Sequence, residues 1–465
     1  MHMEEAGVQP VSPFPEGKAW RAKLPDIPKL GRPLKVALPC VGIDGCTHAL
    51  KILDTDFQPT NVYDVERGYD DLLRQHYESA NSPGTVVLNT GASGDICSAD
   101  FVRLEKPDAL CSGPPCPPWA GLGNKGSQND PRARVFERVL QWVMLFIKTG
   151  SLLFCVLENV PGILHRIKGQ PSFMSRVLTT LQEECSEFSW EVFRMKATDY
   201  GLPQSRIRVF LIGVRRALFG ERVPPPMPPW GRNPQLKDFL SFEAANTARD
   251  SLTPNMKANL TEHEHRLKAM LRRGALNATD IISVCLDRAY GKVFKPRFYT
   301  NKIPTLTTNN QYIFLMSLDF GKPDHARALF RWLLPAERFI LQGFPVECAQ
   351  QLPRSLQVKA CGNAYPVPLM AAALTPIVQE LHGKIDQWPM PSGTVDAVPR
   401  AVYTLNQKLR DAFVVEVIDK KRPARAKESP SAVAKSASKR RPMRASILGQ
   451  KSASAISISS ASDED

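Results

Sequence analysis

Between Leu34 and Val214 short apolar runs alternate with amphipathic stretches of helical length, and few folds accept that pattern. Lys35-Val-Ala-Leu-Pro39 reads as a strand and Thr47 to Leu53 as the start of a helix. Thr60–Val65 is a second strand, followed by a helix over Asp70–Tyr77. The apolar Thr85-Val-Val-Leu88 comes next, then a short strand at Asp108-Ala-Leu-Cys111 that enters a Pro-rich loop. Val135–Ile147 has helical apolar spacing, Leu152–Leu157 is a buried strand ending at Glu158, Phe173–Cys185 is amphipathic, and Val209–Val214 is another strand. A parallel pair of strands needs a crossover, and helical crossovers cover both faces of the sheet. The expected fold is therefore a doubly wound α/β sheet, with ligands beyond the carboxyl ends of its strands.

Composition removes several alternatives. At 43% hydrophobic and 23% charged residues, the chain can bury a core. Its most apolar stretch, Gln141–Val160, is broken by Lys148, Thr149 and Gly150. A membrane span needs about 20 unbroken apolar residues, so this stretch reads as a helix end and a buried strand, and no membrane partner is expected. Met1–Lys18 lacks the apolar run of a secretory signal. The ten Cys are dispersed with no CxxC pair, which argues against zinc modules and a disulfide framework and for reduced thiols. His263-Glu-His265 has no third ligand at a suitable spacing, so no metal is expected.

The formal net charge of +14 is concentrated. Residues 420–465 hold eleven Lys/Arg against four Asp/Glu, and residues 215–295 hold fourteen against eight. A polyanion would be held by these two segments. Residues 1–32 read as a Pro-rich extended arm, and Pro224-Pro-Pro-Met-Pro-Pro-Trp230 as a boundary where a new lobe begins. Strand and helix patterns return at Tyr312–Leu318 and Leu369–Leu381. Residues 391–419 are an extension, and 420–465 are a Lys/Arg/Ser/Ala-rich segment expected to be disordered. Its clusters Lys420-Lys-Arg-Pro423 and Lys439-Arg-Arg-Pro442 suit an import receptor and so a nuclear location, with non-specific nucleic-acid anchoring as the alternative.

Four motifs carry chemistry. Ser112-Gly-Pro-Pro-Cys-Pro-Pro-Trp-Ala-Gly-Leu-Gly123 places one Cys in a Pro-clamped loop after a strand, which fits a nucleophile or a structural thiol. Glu158, in Leu157-Glu-Asn-Val-Pro-Gly162, ends a buried strand, where it fits a catalytic carboxylate or a turn cap. In Gln204-Ser-Arg-Ile-Arg208 the two arginines are two apart entering a strand and so share a side; they fit an anion or carboxylate clamp, or a surface ion pair. Leu341-Gln-Gly-Phe-Pro345 and Gly362-Asn-Ala-Tyr-Pro-Val-Pro368 each read singly as turns.

Taken in this order, the set resembles the C5-cytosine DNA methyltransferase family, over roughly Leu34 to Leu381. The family's Pro-Cys loop matches Pro115-Cys116, its Glu-Asn-Val matches Glu158-Asn159-Val160, its Gln-x-Arg-x-Arg matches Gln204, Arg206 and Arg208, and its Gly-Asn-x-x-Pro matches Gly362, Asn363 and Pro366. Pro304-Thr-Leu-Thr307 and Gln342-Gly-Phe-Pro345 also fall where the family places such motifs. The resemblance implies a Rossmann-like, S-adenosylmethionine-dependent methyltransferase: a mixed sheet with helices on both faces and a small target-recognition lobe. Residues 33–214 would be the catalytic and cofactor-binding lobe, 215–295 the target-recognition segment, and 296–390 the C-terminal part of the catalytic domain.

The same resemblance implies that S-adenosylmethionine is held by the turn Cys40-Val-Gly-Ile-Asp-Gly45. Gly42 and Gly45 are present there, while Cys40 stands at a position where the family has Phe and Asp44 at one where it has Gly. Asp64 would bind the ribose and Val65 the adenine, Glu66 taking the acid's role in a shifted register. Asp95 and Ile96 would form the adenine turn; Pro115 and Val135 would complete the pocket wall, and Asn363 joins the cofactor set. Cys116 would add to C6 of a cytosine flipped out of double-stranded DNA, Glu158 would act at N3, Arg208 at O2, and Arg206 would anchor the site electrostatically. The loop Trp119–Gly126 would close over the base, with Lys125 and Asp130-Pro-Arg132 meeting phosphate or pinning the closed loop. Two other readings stand beside this one: a transfer-RNA C5-methylating enzyme of the same fold, whose nucleophile loop typically continues Cys-Gln where Pro117-Pro118-Trp119 stands here, and a catalytically silent DNA-binding scaffold, suggested by Cys40 and Asp44.

Overall fold

Strand β1 (Leu34–Pro39) sits inside a seven-stranded sheet with β2 (Phe57–Asp64), β3 (Leu88–Thr90), β4 (Ala109–Ser112), β5 (Phe154–Asn159), β6 (Phe188–Lys196) and β8 (Ile207–Arg215); the short β7 (Gln204–Ser205) precedes β8. The computed structural model describes residues 20–78, 86–116, 132–166, 171–231, 234–287, 298–308, 312–389 and 391–413. The strand order is β3-β2-β1-β4-β5-β8-β6. Neighbours from β3 to β5 run parallel, and β8 is antiparallel to both β5 and β6. The chain builds outward from β1 to β3 and then crosses to β4 and β5, so the order reverses at β1. Such a switch point opens a crevice at the carboxyl ends of the strands.

Strand periodicity divides the core between the two faces. Val36 and Val156 point to one side, with α1 (Gly45–Ile52) and α8 (Val367–Leu381); Ala37, Leu110, Cys155 and Leu157 point to the other, with α3 (Ala133–Lys148) and α4 (Phe173–Glu184). Helix α3 turns Phe136, Val139, Leu140 and Val143 inward at helical spacing, and Gly150, at φ +80°, stands in the left-handed region just past its end. Each such fully buried side chain contributes about 1.5–3 kcal/mol. Helix α2 (Asp70–Glu78) completes the β2–β3 crossover.

The small lobe is a four-stranded sheet, β10-β9-β12-β13: β9 (Ile281–Cys285), β10 (Phe298–Thr300), β12 (Ile313–Ser317) and β13 (Phe330–Trp332); the two-residue β11 (Ile303–Pro304) pairs instead with β7, and helices α6 (Pro335–Ile340) and α7 (Arg354–Asn363) lead on to α8. Its own core joins Leu260 and Leu267 of α5 (Pro254–Arg272) to Ile282, Val284, Phe314 and Phe330. Three of the four strands lie after residue 295, so the boundary expected there is corrected: it falls inside this lobe, between β9 and β10.

Two further expectations are corrected. The Pro-rich segment 224–230 does not open the new lobe: Met227 N–H donates to Ala372 O of α8 at 2.9 Å, the Trp230 ring stacks on Trp20 at 6.1 Å, and Leu236, Phe239 and Leu240 beyond it still belong to the main core. The arm is not simply extended over its described part, 20–32. Trp20 and Leu30 are buried in the main core, and the Arg32 guanidinium grips Asp108 through two hydrogen bonds of 2.7 and 2.8 Å. Strand β6 was not anticipated. It is the sheet edge, and its exposed Glu191, Arg194 and Lys196 interrupt the apolar run. Among the described residues no helix is long and apolar enough to cross a membrane, and no group of three His, Cys, Asp or Glu is placed to hold a metal. The tail from residue 420 lies outside the described residues.

Candidate active site

Strand register brings three of the motifs to one edge of the sheet. Ser112 of β4 pairs with Leu157 of β5, while Glu158 and Asn159 pair with Phe210 and Val209 of β8. The turn carrying Cys116 therefore leaves the sheet on one side of Glu158, and Arg208 enters on the other. Arg208 Nε lies 2.7 Å from Glu158 Oε1, with each side chain 8% exposed. The N–H does not point along this contact, so Oε1 has an ion pair without an aligned hydrogen bond. Burial pushes the Glu158 carboxyl up, and it outweighs the downward pull of Arg208 and Arg206. A carboxyl so placed holds its proton to higher pH than an exposed one.

Cys116 is half-buried, and the same three residues act on it. Burial pushes its thiol up, Arg208 pulls it down, Glu158 pushes it up and Arg206 pulls it down, with a net upward result. The resting sulfur is therefore a thiol. Its turn is tied to the sheet at two points. Ser112 Oγ donates to Pro39 O at 2.6 Å, and Asn159 Nδ2 donates to Pro114 O at 3.2 Å. Residues 117–131, including the expected closing loop Trp119–Gly126 with Lys125 and Asp130, lie outside the described residues.

Arg206 has a different job from Arg208. It is buried, and its guanidinium donates to the main-chain carbonyls of Leu306 (2.6 Å), Gly362 (3.3 Å) and Ala364 (2.5 Å). Its neighbour Gln204 donates to Leu341 O at 2.8 Å, and Gln342 donates to Cys361 O at 2.6 Å. A Cβ on Gly362 would stand 2.3 Å from Thr308 N, so only glycine lets the two backbones meet. The Gln-x-Arg-x-Arg, Pro-Thr-Leu-Thr, Gln-Gly-Phe-Pro and Gly-Asn motifs are thus one hydrogen-bonded knot. Tyr365 extends it: Cβ atoms built on Gly45 and Gly113 would stand 2.7 and 3.2 Å from opposite edges of its ring. Sequence reasoning missed this wedge, whose only sign was a large aromatic inside a turn motif.

The first turn shows how its two unusual residues are accommodated. Cys40, Gly42 and Asp44 all have positive φ, at 57°, 57° and 52°. Asp tolerates this region better than most residues, and here its side chain caps α1. Asp44 accepts from Thr47 N at 3.0 Å and from the Tyr77 hydroxyl at 2.8 Å, and also contacts Thr47 Oγ1. Cys40 is half-buried and pushed up by burial.

Gly42 N–H donates to Asp64 Oδ2 and Glu66 N–H to Asp64 Oδ1, each at 2.8 Å. Glu66 instead pairs with Lys359 at 2.7 Å, so Asp64 is the acid at the turn. A Cβ on Gly42 would meet nothing within 4 Å, and Val65 is 69% exposed. A Cβ on Gly94 would stand 1.9 Å from Asp64 O, which presses the turn bearing Asp95 against the end of β2. Open backbone, an adjacent acid and an exposed apolar side chain suit a ligand with a ribose and a base. Two placements differ from expectation. The Ile96 side chain is a core residue, 2% exposed, and its carbonyl accepts from Arg138, while Asn363 is exposed and interacts with the Tyr69 hydroxyl. Pro115 is half-buried beside Cys116, and Val135 is half-buried at the start of α3.

A family model described as C-5 cytosine-specific DNA methylase matches residues 40–379. The chain is 30% identical over 180 residues to the type II methyltransferase M.DdeI of Desulfomicrobium norvegicum, covering 37% of this chain and 39% of that protein. It is 28% identical over 180 residues to the tRNA (cytosine(38)-C(5))-methyltransferase of Homo sapiens, covering 39% of this chain and 42% of that protein. The chain thus spans about two fifths of the length of these relatives. A solved Entamoeba histolytica methyltransferase, EhMeth, aligns at 14% identity and TM-score 0.47, covering 75% of this chain and 99% of that one.

Proposed function

Because the chain belongs to the C-5 cytosine-specific DNA methylase family, we propose that it methylates C5 of a cytosine in double-stranded DNA, with S-adenosylmethionine as donor and a covalent bond between Cys116 and C6. The observation that carries this reading is the convergence of Cys116, Glu158 and Arg208 at one sheet edge, with Glu158 and Arg208 2.7 Å apart.

The residues divide the work. The Cys116 thiolate adds to C6, which loads electron density onto C5 and N3. Glu158, whose proton burial holds to higher pH than an exposed carboxyl would, gives that proton or a hydrogen bond to N3 as charge develops there. Arg208 faces O2 and neutralises Glu158 once the carboxylate forms. Arg206 holds the knot that supports both. The bound donor would supply an electrophilic methyl group on a sulfonium; Gly42, Asp64, Val65 and the main chain at Asp95–Ile96 would hold it. Loss of the C5 proton then releases Cys116. The target base must leave the stack, because C6 is shielded within it. The positive segment 215–295 and the basic tail supply phosphate contacts, and the two basic clusters of the tail support a nuclear location.

A second reading, the same chemistry on transfer RNA, is favoured by the similarity to a tRNA methyltransferase. Labelled-methyl transfer to duplex DNA and to transfer RNA separates the two. Duplex carrying 5-fluorocytosine should leave a denaturant-resistant adduct at Cys116, and Cys116→Ser should leave none. An adduct that maps elsewhere, or transfer to transfer RNA alone, defeats the proposal.

A further inference from the structure

Residues 391–413 lie past the stretch matched by the family, and they are built into the main sheet's far side. Val395 N–H donates to Leu104 O at 2.9 Å and Lys106 N–H to Gly393 O at 3.1 Å, around a bridge between Glu105 and Thr394. Lys106 Nζ meets Asp396 at 2.7 Å and Lys35 Nζ donates to Pro391 O at 2.8 Å. Helix α9 (Arg400–Phe413) buries Val402 and Leu405 in the core beside α3 and α4, and its Lys408 pairs with Glu184.

This clasp fixes the segment 101–106, and Phe101 links it to the turn at Asp95–Ala99. The Tyr403 ring of α9 meets Phe101 edge-on, at 6.4 Å and 78°. The Arg138 guanidinium of α3 lies over the Phe101 ring, 3.7 Å from its centroid. From there Arg138 donates to Ile96 O at 3.0 Å, to Ala99 O and to Gln141 Oε1 at 3.2 Å. The carbonyls that Arg138 holds belong to the turn that Gly94 presses against Asp64. A guanidinium bridging two carbonyls of one turn, with its flat face on an aromatic ring, fixes both the turn's shape and its distance from the helix.

We propose that the C-terminal extension is a brace for the Asp95–Ala99 turn, that Arg138 is the positioning residue through which it acts, and that the pair sets affinity for the adenosine end of the cofactor. This rests on the cofactor reading given above. The brace touches neither Cys116 nor Glu158, so its effect falls on binding rather than on the chemical step.

The test measures S-adenosylhomocysteine binding to the full-length protein by calorimetry, together with ligand-free unfolding. Arg138→Met should raise the dissociation constant about tenfold, the size expected for losing one charge-assisted hydrogen bond. Arg138→Lys, which keeps the charge but not the planar fork that bridges the two carbonyls, should raise it about threefold. Methyl transfer lost at low cofactor should return as cofactor is raised. A merely structural role would lower ligand-free stability and leave the folded fraction's affinity unchanged, which would overturn the proposal. Should Arg138→Met not fold, Tyr403→Ala, at an exposed ring, replaces it. A rise of about twofold supports the brace, and an unchanged constant overturns it. Wild-type protein that binds no S-adenosylhomocysteine defeats the cofactor reading and the brace with it, whereas wild-type binding matched by every variant defeats the brace alone.

Discussion

Burial raises both groups that would flank the reacting ring, and this dictates the shape of the pH profile. The reaction needs Cys116 as thiolate and Glu158 as acid. Cys116 is pushed above its ordinary 9.0 and Glu158 above its ordinary 4.5, so the required acid has the lower value of the two and the competent ionisation state is the minority one. The value of kcat/KM for DNA, which reports the cofactor-loaded enzyme before it meets DNA, should rise tenfold per pH unit below the Glu158 value, run level between the two values, and fall above the Cys116 value. Glu158→Gln keeps a donor toward N3 and removes the titration. The level stretch should then become a rise of tenfold per pH unit, with no alkaline fall. Across any two pH units of the plateau, the ratio of wild type to variant should shrink about 100-fold, superimposed on an overall loss of about 10²–10⁴-fold from the missing proton transfer. Initial rates of labelled-methyl incorporation, at saturating cofactor and limiting DNA across the level stretch of the wild-type profile, measure this. A variant profile parallel to wild type would refute Glu158 as the acid.

Arg206→Lys should cost about 3 kcal/mol of stability, because one ammonium cannot reach the three carbonyls that the guanidinium holds. Arg208→Lys should leave the urea midpoint nearly unchanged while lowering methyl transfer; equal midpoints for the two variants would contradict the division of labour between them. Stability should also fall in mild acid. His48 and His76 stack at 3.8 Å, with His48 held down at about 3 by burial and Lys51, and His76 well below its usual value by burial, His48 and Lys51. The unfolded chain takes up these protons near pH 6.5 and the folded chain does not. The stabilisation is thus complete above about 6.5 and lost as pH falls toward the folded values, by about 1.4 kcal/mol per pH unit for each histidine. Urea midpoints at about pH 7 and about pH 5 should differ accordingly, and His48→Gln should narrow the gap; a gap of the same width would count against this origin.

The sequence was most legible where burial is continuous. Strands β1, β4 and β5 are covered on both faces and read as mainly apolar runs, β1 interrupted only by Lys35 and the polar residues of β4 and β5 confined to their carboxyl ends, and α3 repeats its apolar residues at helical spacing over four turns. Edge strand β6 was not legible, since one-sided burial leaves charges among its apolar residues. The small lobe was harder still, because β10 and β13 have three residues each, and a pattern of period two cannot establish itself over so short a run. The boundary expected at 295 therefore falls inside this lobe.

The site divides along the same physical line. Residue types at the candidate site follow from local motif, but their partners do not, because the partners are distant in the chain. Gly362 is glycine because of Thr307 and Thr308, and Gly45 because of Tyr365; neither requirement leaves a trace in the neighbouring residues. Asp44 makes the point in reverse. Read along the chain it is a departure at a turn that wants glycine; in space it is the cap of α1 and the acceptor for Tyr77, so the positive φ is compensated by hydrogen bonds that a glycine could not make. Periodicity reports whether a side chain is buried. Only an ordered set of motifs, which encodes several long-range contacts at once, could report against what.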